Sequence, residues 1–108
     1  MIRFRQYSDE FGERNSAAIE QSDSVYTRNL TANTEAVIDI PNEARFAIFQ
    51  YDVQRLWTRF DGATLTVPST NSDDADVSLN PDVRYIANVD SIRLISPTDG
   101  IAVVSFYG

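Results

Sequence analysis

Short apolar runs rich in Val, Ile, Thr and aromatic residues recur along this chain, separated by Pro, Gly, Asn and Asp at roughly 8 to 12 residue spacing. No run has the period of an amphipathic helix. The pattern is typical of an antiparallel β-sandwich or barrel. The predicted strands, eight or nine in number, are Ile2–Tyr7, Val25–Leu30, Glu35–Ile40, Arg45–Tyr51, Gln54–Phe60, Thr64–Val67, Val83–Ile86, Ser91–Ile95 and Ile101–Tyr107.

Turn residues divide these strands. Asp61-Gly62 stands between two alternating runs, and Pro97-Thr98-Asp99-Gly100 places a turn-favouring proline ahead of an Asp-Gly pair. Both segments predict tight antiparallel hairpins. Pro68 and Pro81 flank a polar segment. Since a proline inside a central strand would remove a ladder hydrogen bond, these prolines predict a loop between strands.

The length of 108 residues predicts one domain. Residues 25–108 carry the sandwich pattern, whereas residues 1–24 combine a first strand with a polar arm or long loop, which has one helical turn over Ser16–Gln21. The arm either reaches a neighbouring subunit or is an ordinary edge strand and loop. The N-terminus alternates polar and apolar residues, unlike a signal peptide, so we expect an unprocessed protein made in the cytoplasm.

Several residue types that catalysis commonly uses are missing. The sequence has no His and no Cys, and all nine cationic side chains are Arg. The usual acid/base at neutral pH, thiolate chemistry and Schiff-base lysines are therefore excluded. We expect a protein that is not an enzyme and has no cofactor.

The net charge of −7 disfavours nucleic acid and anionic membrane surfaces, which are bound largely through excess Lys and Arg. It suits a partner with a neutral or basic face, or it serves solubility alone. Asp73, Asp74 and Asp76 gather carboxylates in one loop, but their spacing is not that of an EF-hand. We expect a solvated acidic loop without a metal.

The most informative local feature is the strand Gln54–Phe60, because both of its faces cannot be core. Leu56, Thr58 and Phe60 share one face, and Arg55, Trp57 and Arg59 share the other. If Leu56 and Phe60 point inward, the only Trp lies outside between two guanidinium groups, a pairing enriched in interface hot spots and suited to cation–π stacking. The alternative is a rim Trp covered by the stems of the arginines.

The first strand repeats this pattern more weakly with Arg3, Arg5 and Tyr7. The predicted contact residues are therefore Arg55, Trp57, Arg59, Arg3, Arg5 and Tyr7. The other apolar positions are assigned to the core. These are Ala36, Ile38, Ile40, Phe46, Ile48, Ile92, Leu94, Ala102, Val104 and Phe106.

Residues 31–108 resemble a group of small tailed-bacteriophage virion proteins. The segments that carry the resemblance are Asp61-Gly62-Ala63-Thr64-Leu65-Thr66-Val67-Pro68, Leu79-Asn80-Pro81-Asp82-Val83-Arg84, Ser91-Ile92-Arg93-Leu94-Ile95-Ser96-Pro97 and Val103-Val104-Ser105-Phe106-Tyr107-Gly108. The resemblance implies a structural part of the particle. A β-sandwich of this size is expected to be a capsid decoration or cement protein outside the head.

The expected fold is thus an all-β antiparallel sandwich, jelly-roll-like. Its expected partners are the major capsid protein, at subunit junctions, and further copies of itself as a dimer or trimer, with no nucleic acid and no membrane. Two other roles stay open: a carbohydrate- or receptor-binding module of a tail fibre, which would use Trp57 and exposed tyrosines, and a head-to-tail connector component.

Overall fold

Ten β-strands form the regular structure of the chain in a computed structural model, which describes residues 1–5, 7–8, 14–15, 19–71 and 73–108, with backbone alone at 7–8 and 14–15. The described residues contain no helix. The strands are β1 (Tyr7–Ser8), β2 (Arg14–Asn15), β3 (Val25–Leu30), β4 (Ala36–Asp39), β5 (Phe46–Tyr51), β6 (Trp57–Arg59), β7 (Val77–Leu79), β8 (Val83–Tyr85), β9 (Ser91–Ile95) and β10 (Gly100–Tyr107).

Two four-stranded sheets make up the body of the protein. Sheet I has the order β3-β10-β5-β8, sheet II has the order β4-β9-β6-β7, and β1 pairs with β2 in a separate two-stranded ladder. Every pairing is antiparallel. The partners are nested in sequence, since β3 pairs with β10, β4 with β9, β5 with β8 and β6 with β7. The predicted all-β antiparallel sandwich is confirmed.

The core lies between the two sheets and is built by alternate residues of each strand. Ile38, Ile92, Leu94, Val104 and Phe106 have essentially no exposed surface. Tyr26 packs edge-on against Phe106, with ring centroids 5.4 Å apart. The cluster is completed by Leu30, Ala44, Ala47, Phe49, Val53, Leu56, Ile86 and Ala102.

The predicted inward face of β5 was wrong. Ala47 and Phe49 are buried in the core, whereas Phe46 and Ile48 lie opposite Tyr107 and Ser105 on the outer side of sheet I. Both alternating sets of β5 are apolar, so its own sequence does not select a face. Pairing with β10, whose inward set is unambiguous, determines which side of β5 faces the core.

Two predicted strands and both predicted hairpins were also wrong. Ile2–Tyr7 is not a continuous strand, although Phe4 N donates to Gly108 O at 3.0 Å, and Thr64–Val67 has no strand structure. β6 pairs with β9 and with β7, a strand that the sequence patterns did not predict. The turn 97–100 connects β9 of sheet II to β10 of sheet I.

The predicted helical turn over Ser16–Gln21 falls partly outside the described residues, and 19–21 have no regular structure. Nowhere in the described part of the chain is there a helix of the length and apolarity needed to span a membrane.

Asn80 holds the segment that leads into β6. Its side chain accepts from Leu56 N at 2.8 Å and donates to Gln54 O at 3.0 Å, and its backbone N donates to Leu56 O at 2.8 Å. Its φ of 49° is left-handed, a conformation that Asn tolerates better than most residues. Asn80 therefore takes the place of a neighbouring strand beside residues 54–56.

We expect Asn80→Ala to lower the free energy of unfolding by about 2 to 4 kcal/mol, because it removes two side-chain hydrogen bonds and places Ala at a left-handed position. Urea unfolding measures the change. Asn33→Ala is the matched control, since Asn33 has a φ of 59° but neither of these side-chain bonds, and it should cost about 1 kcal/mol. Equal losses in both variants would contradict the anchoring role of Asn80.

Candidate interaction surfaces

The segment Leu56–Phe60, which contains β6, divides its side chains between core and exterior as its sequence predicts. Leu56 and Thr58 are fully buried, and Phe60 packs against the core. Thr58 places its hydroxyl 2.8 Å from the Ser78 hydroxyl, so this buried polar group is satisfied. Alternation then places Trp57 and Arg59 on the outer side of sheet II.

Trp57 is half-buried between two apolar neighbours. Its cross-strand partners are Ile95 on β9, which is buried, and Leu79 on β7, which is 41% exposed. Arg55, two residues earlier, is exposed. We use the name Trp57 patch for Trp57, its cross-strand neighbour Leu79 and the exposed Arg55, which lies two residues before Trp57 in the chain.

Arg59 is bound by two carboxylates. It donates to both oxygens of Asp61, at 2.6 Å from Nε and 2.9 Å from Nη2, and to Asp74 at 2.8 Å from Nη1. These hydrogen bonds raise the pKa of Arg59 further and, together with the Ala63 N–H, lower the pKa of Asp61 to about 2. The three predicted residues of the segment 55–59 therefore differ: Arg55 is exposed, Trp57 is half-buried, and Arg59 binds two carboxylates of the following loop.

The described part of that loop, residues 60–71 and 73–76, folds over the outer side of sheet II. Leu65 is buried although it lies outside the main core, and its N–H donates to Glu35 Oε2 at 2.5 Å. The other Glu35 oxygen binds Arg93. The long connection between β6 and β7 is thus held by an ion pair at Arg59, by Glu35 and by one buried leucine.

A cleft of about 300 Å³ lies between this loop and β6–β7. Its lining combines hydroxyl side chains and Asn71 with apolar side chains such as Leu65 and Val77, and it includes Arg59 and Asp74. Asp74 also accepts from Asp76 N at 3.0 Å. No three metal-ligating side chains come together among the described residues. The acidic loop is tied into the structure through Asp74.

Tyr51 is a further titratable side chain with a shifted pKa. Burial raises the pKa of its phenol, and nearby Asp82 raises it further against a smaller opposing effect of Arg84. The hydroxyl lies 3.1 Å from Pro81 O, to which it donates. Tyr51 stays protonated and is a structural donor.

The predicted N-terminal residues lie away from the Trp57 patch. Arg3 and Arg5 are exposed, and Phe4 between them packs on Phe46 and Tyr107 of sheet I, with ring centroids 5.1 and 5.7 Å apart. Tyr7 is in β1, opposite Asn15, and its side chain lies outside the described part. The structure therefore places the Arg3–Arg5 segment at sheet I and Trp57 on sheet II.

A surface that the sequence patterns missed covers the outer side of sheet I. Val25, Val83, Tyr85 and Ile101 are 44, 40, 64 and 43% exposed there. No outward residue of this sheet is charged, and we call it the uncharged face. Its residues are Val25, Thr27, Asn29, Phe46, Ile48, Gln50, Val83, Tyr85, Ile101, Val103, Ser105 and Tyr107.

The signal for this face is present in the sequence. The outward set of β10 begins with Ile101 and Val103, although such positions on a solvated sheet are usually polar. Sheet II differs, because its outward positions include Asp39, Arg59 and Arg93.

We expect the carboxyl of Asp61 to titrate with a midpoint of about 2, below its ordinary 3.8. A depressed folded pKa contributes stability above the unfolded value and loses it as the pH falls from about 4 to about 2. Carboxyl NMR titration measures the midpoint. Arg59→Met should return it towards 3.8, and Arg55→Met should leave it unchanged. A wild-type midpoint near 4 would contradict the clamp.

Comparison of the chain with protein-family models, curated proteins and solved structures gives no match. The function of this sandwich is therefore inferred from the chemistry of its surfaces.

Proposed function

We propose that this protein is a bacteriophage virion structural protein, a capsid decoration or cement protein that binds outside the head at junctions between major capsid subunits and stabilises it. It is made in the host cytoplasm and acts as a homo-oligomer. The observation that carries the proposal is the Trp57 patch, a half-buried Trp beside an exposed Leu79 and an exposed Arg55 on an anchored strand.

The composition of this patch fits a protein partner. Trp and Arg are the residues most enriched in interface hot spots, and hot spots act best when their side chains are held rigidly before binding. Trp57 is held on one side by Ile95, and residues 54–56 before it are fixed by Asn80. A partner that covers Leu79 would complete the burial of the indole ring.

The arrangement of strands supports the same class of protein. Successive strands mostly alternate between the sheets, and the nested pairs of strands form two four-stranded sheets. We infer from this order that the sandwich is jelly-roll-like, an architecture that recurs in capsid and lectin domains.

A binding role also agrees with the use of the charged groups. Arg59 and Asp61, whose pKa values are shifted, are joined to each other, and Tyr51 remains a neutral donor. Each is satisfied by a structural partner, so none serves as a poised acid, base or nucleophile. The net charge of −7 suits the exterior of a head, away from packaged DNA.

The placement of the aromatic rings favours this proposal over a carbohydrate-binding module. Stacking of a glycan needs exposed aromatic rings on one surface, whereas Trp57 lies on sheet II and the exposed Tyr85 on sheet I. A cement protein present in many copies needs only a modest affinity at each site, because many such contacts on one particle give high avidity.

We expect Trp57→Ala to weaken binding to purified empty heads of the parent phage by about 30-fold, the loss for a hot spot of about 2 kcal/mol. Cosedimentation of heads with labelled protein measures the affinity. Val37→Ala is the matched control, because Val37 is also exposed on sheet II but lies on β4, at the opposite edge from Leu79, and it should bind as the wild type does.

Far-UV circular dichroism and thermal unfolding check that both variants are folded, because Trp57→Ala removes the only Trp and changes the near-UV spectrum whether or not the protein is folded. A wild type that does not bind heads would refute the proposed function. Unchanged head binding by Trp57→Ala would refute the Trp57 patch as the contact, and a glycan-array signal abolished by Trp57→Ala without head binding would favour the receptor-binding alternative.

A further inference from the structure

The uncharged face of sheet I is unusual for the surface of this protein. The chain has nine Arg and sixteen acidic residues, yet the outward positions of β3, β10, β5 and β8 carry none of them. Four of the large apolar side chains that are exposed in the described structure lie here, and the other two, Val37 and Leu79, lie on sheet II. Apolar exposure of this kind, gathered on one sheet, marks an interaction site.

The segment around residues 19–21 leaves most of this face open. Tyr107 donates its hydroxyl to Glu20 O at 2.7 Å, so this segment crosses the sheet at the end of β10. A groove of about 300 Å³ remains between it and Val25, Ile48 and Val103. Phe4 covers Phe46 at one end of the face, whereas the exposure of Ile101 and Val83 shows that the described chain leaves these positions open.

We propose that the occupant of the uncharged face is a second copy of this chain, which packs sheet I against sheet I about a two-fold axis. Charge selects this occupant. Two copies that each carry a net charge of −7 repel one another, and they approach at least cost through the outward side of sheet I, whose own strands present no charged side chain and whose nearest described cations, Arg3 and Arg5, flank Phe4 at one end. A basic partner would instead be drawn to the acidic surfaces elsewhere.

The chemistry of the face fits a two-fold contact. In such an interface the same surface is used by both subunits, so any charged residue near the axis would meet its own copy. The uncharged face avoids this. Its uncharged polar members Thr27, Asn29 and Gln50 satisfy their hydrogen bonds with water or across the axis without a charge to desolvate.

Aromatic side chains provide an anchor at one end of the face. Phe4 stacks on Phe46, and the Tyr85 ring meets Phe46 edge-on with centroids 5.3 Å apart. Phe46 packs against one edge of Tyr85, and 64% of the Tyr85 surface is exposed to solvent. A rigid, exposed tyrosine on an aromatic base is the kind of residue that dominates interface energies.

The size of the face sets the strength of the dimer. Four strands at about 4.8 Å spacing and roughly 20 Å of strand length give a footprint on the order of 400 Å² per copy. A standard specific interface buries about 800 Å² per partner, so this contact belongs to the weak, reversible class. We expect a dissociation constant in the micromolar range.

Sedimentation velocity of the full chain from about 1 μM to about 500 μM tests the proposal, since a micromolar dimer dissociates across this range. The wild type should change from monomer to dimer on concentration. Val83→Arg should remain a monomer throughout, because it places a like charge on each side of the axis. Tyr85→Ala should raise the dissociation constant at least about tenfold, a loss of about 1.4 kcal/mol or more.

Val37→Arg is the matched control. Val37 and Val83 are the same residue type with the same exposed fraction of 40%, but they lie on different sheets, so Val37→Arg should dimerise as the wild type does. Ile101→Arg is a second variant of the uncharged face for the case in which Val83→Arg does not fold. A monomeric wild type, or equal loss of dimer in Val37→Arg, would overturn the proposal.

Head binding by the same variants separates this inference from the proposed function. A wild type that binds heads but stays monomeric in solution overturns the dimer, and with it the homo-oligomeric part of the proposed function, while the cement role itself stands. If the wild type is monomeric and binds heads while Val83→Arg does not bind them, the uncharged face contacts the capsid and the dimer is again refuted. A dimer that does not bind heads supports this inference and refutes the proposed function.

Discussion

The pairing of β10 with both β3 and β5 is the constraint on which the rest of sheet I depends. Side chains alternate strictly across a strand, so the register of a ladder decides which set of a neighbouring strand enters the core. β10 presents Ala102, Val104 and Phe106 inward. Its register places Val104 beside Phe49 and Tyr26, which turns Phe49 and Tyr26 inward as well. Val103 and its neighbours are thereby placed on the opposite side, where they form the uncharged face.

Much of the fold was predictable because several strands carry their own alternation. Val25–Leu30 and Ser91–Ile95 were predicted with the bounds that the structure has. At the start of β6, the burial of Leu56 and Thr58 followed from the alternation of the sequence alone. β5 was not predictable in this way. With Phe46 and Ile48 on one side and Ala47 and Phe49 on the other, its sequence is apolar on both, and only the register with β10 resolves it.

The candidate site residues differ in the same way: some follow from local alternation, and others depend on contacts between distant parts of the chain. The outward position of Trp57 follows from local alternation, and it was predicted. The use of Arg59 depends on Asp61 and on Asp74, fifteen residues away, so no local pattern reveals that this cation is bound. The same clamp explains the failed hairpin at Asp61-Gly62. The Asp61 carboxylate binds back to Arg59, and the chain then continues over sheet II to bury Leu65 instead of returning as a strand.

The two outer surfaces of the sandwich consequently have different physical characters. Sheet II is covered in part by its own loop, fixed by ion pairs at Arg59 and Arg93, and leaves the Trp57 patch at one end. The outward strand positions of sheet I carry no charged side chain. Because the core lies between them, a contact on one sheet leaves the other accessible. The proposed cement role would use this property. Self-association through sheet I would place two Trp57 patches in each bound unit, and avidity would convert two weak contacts into stable attachment.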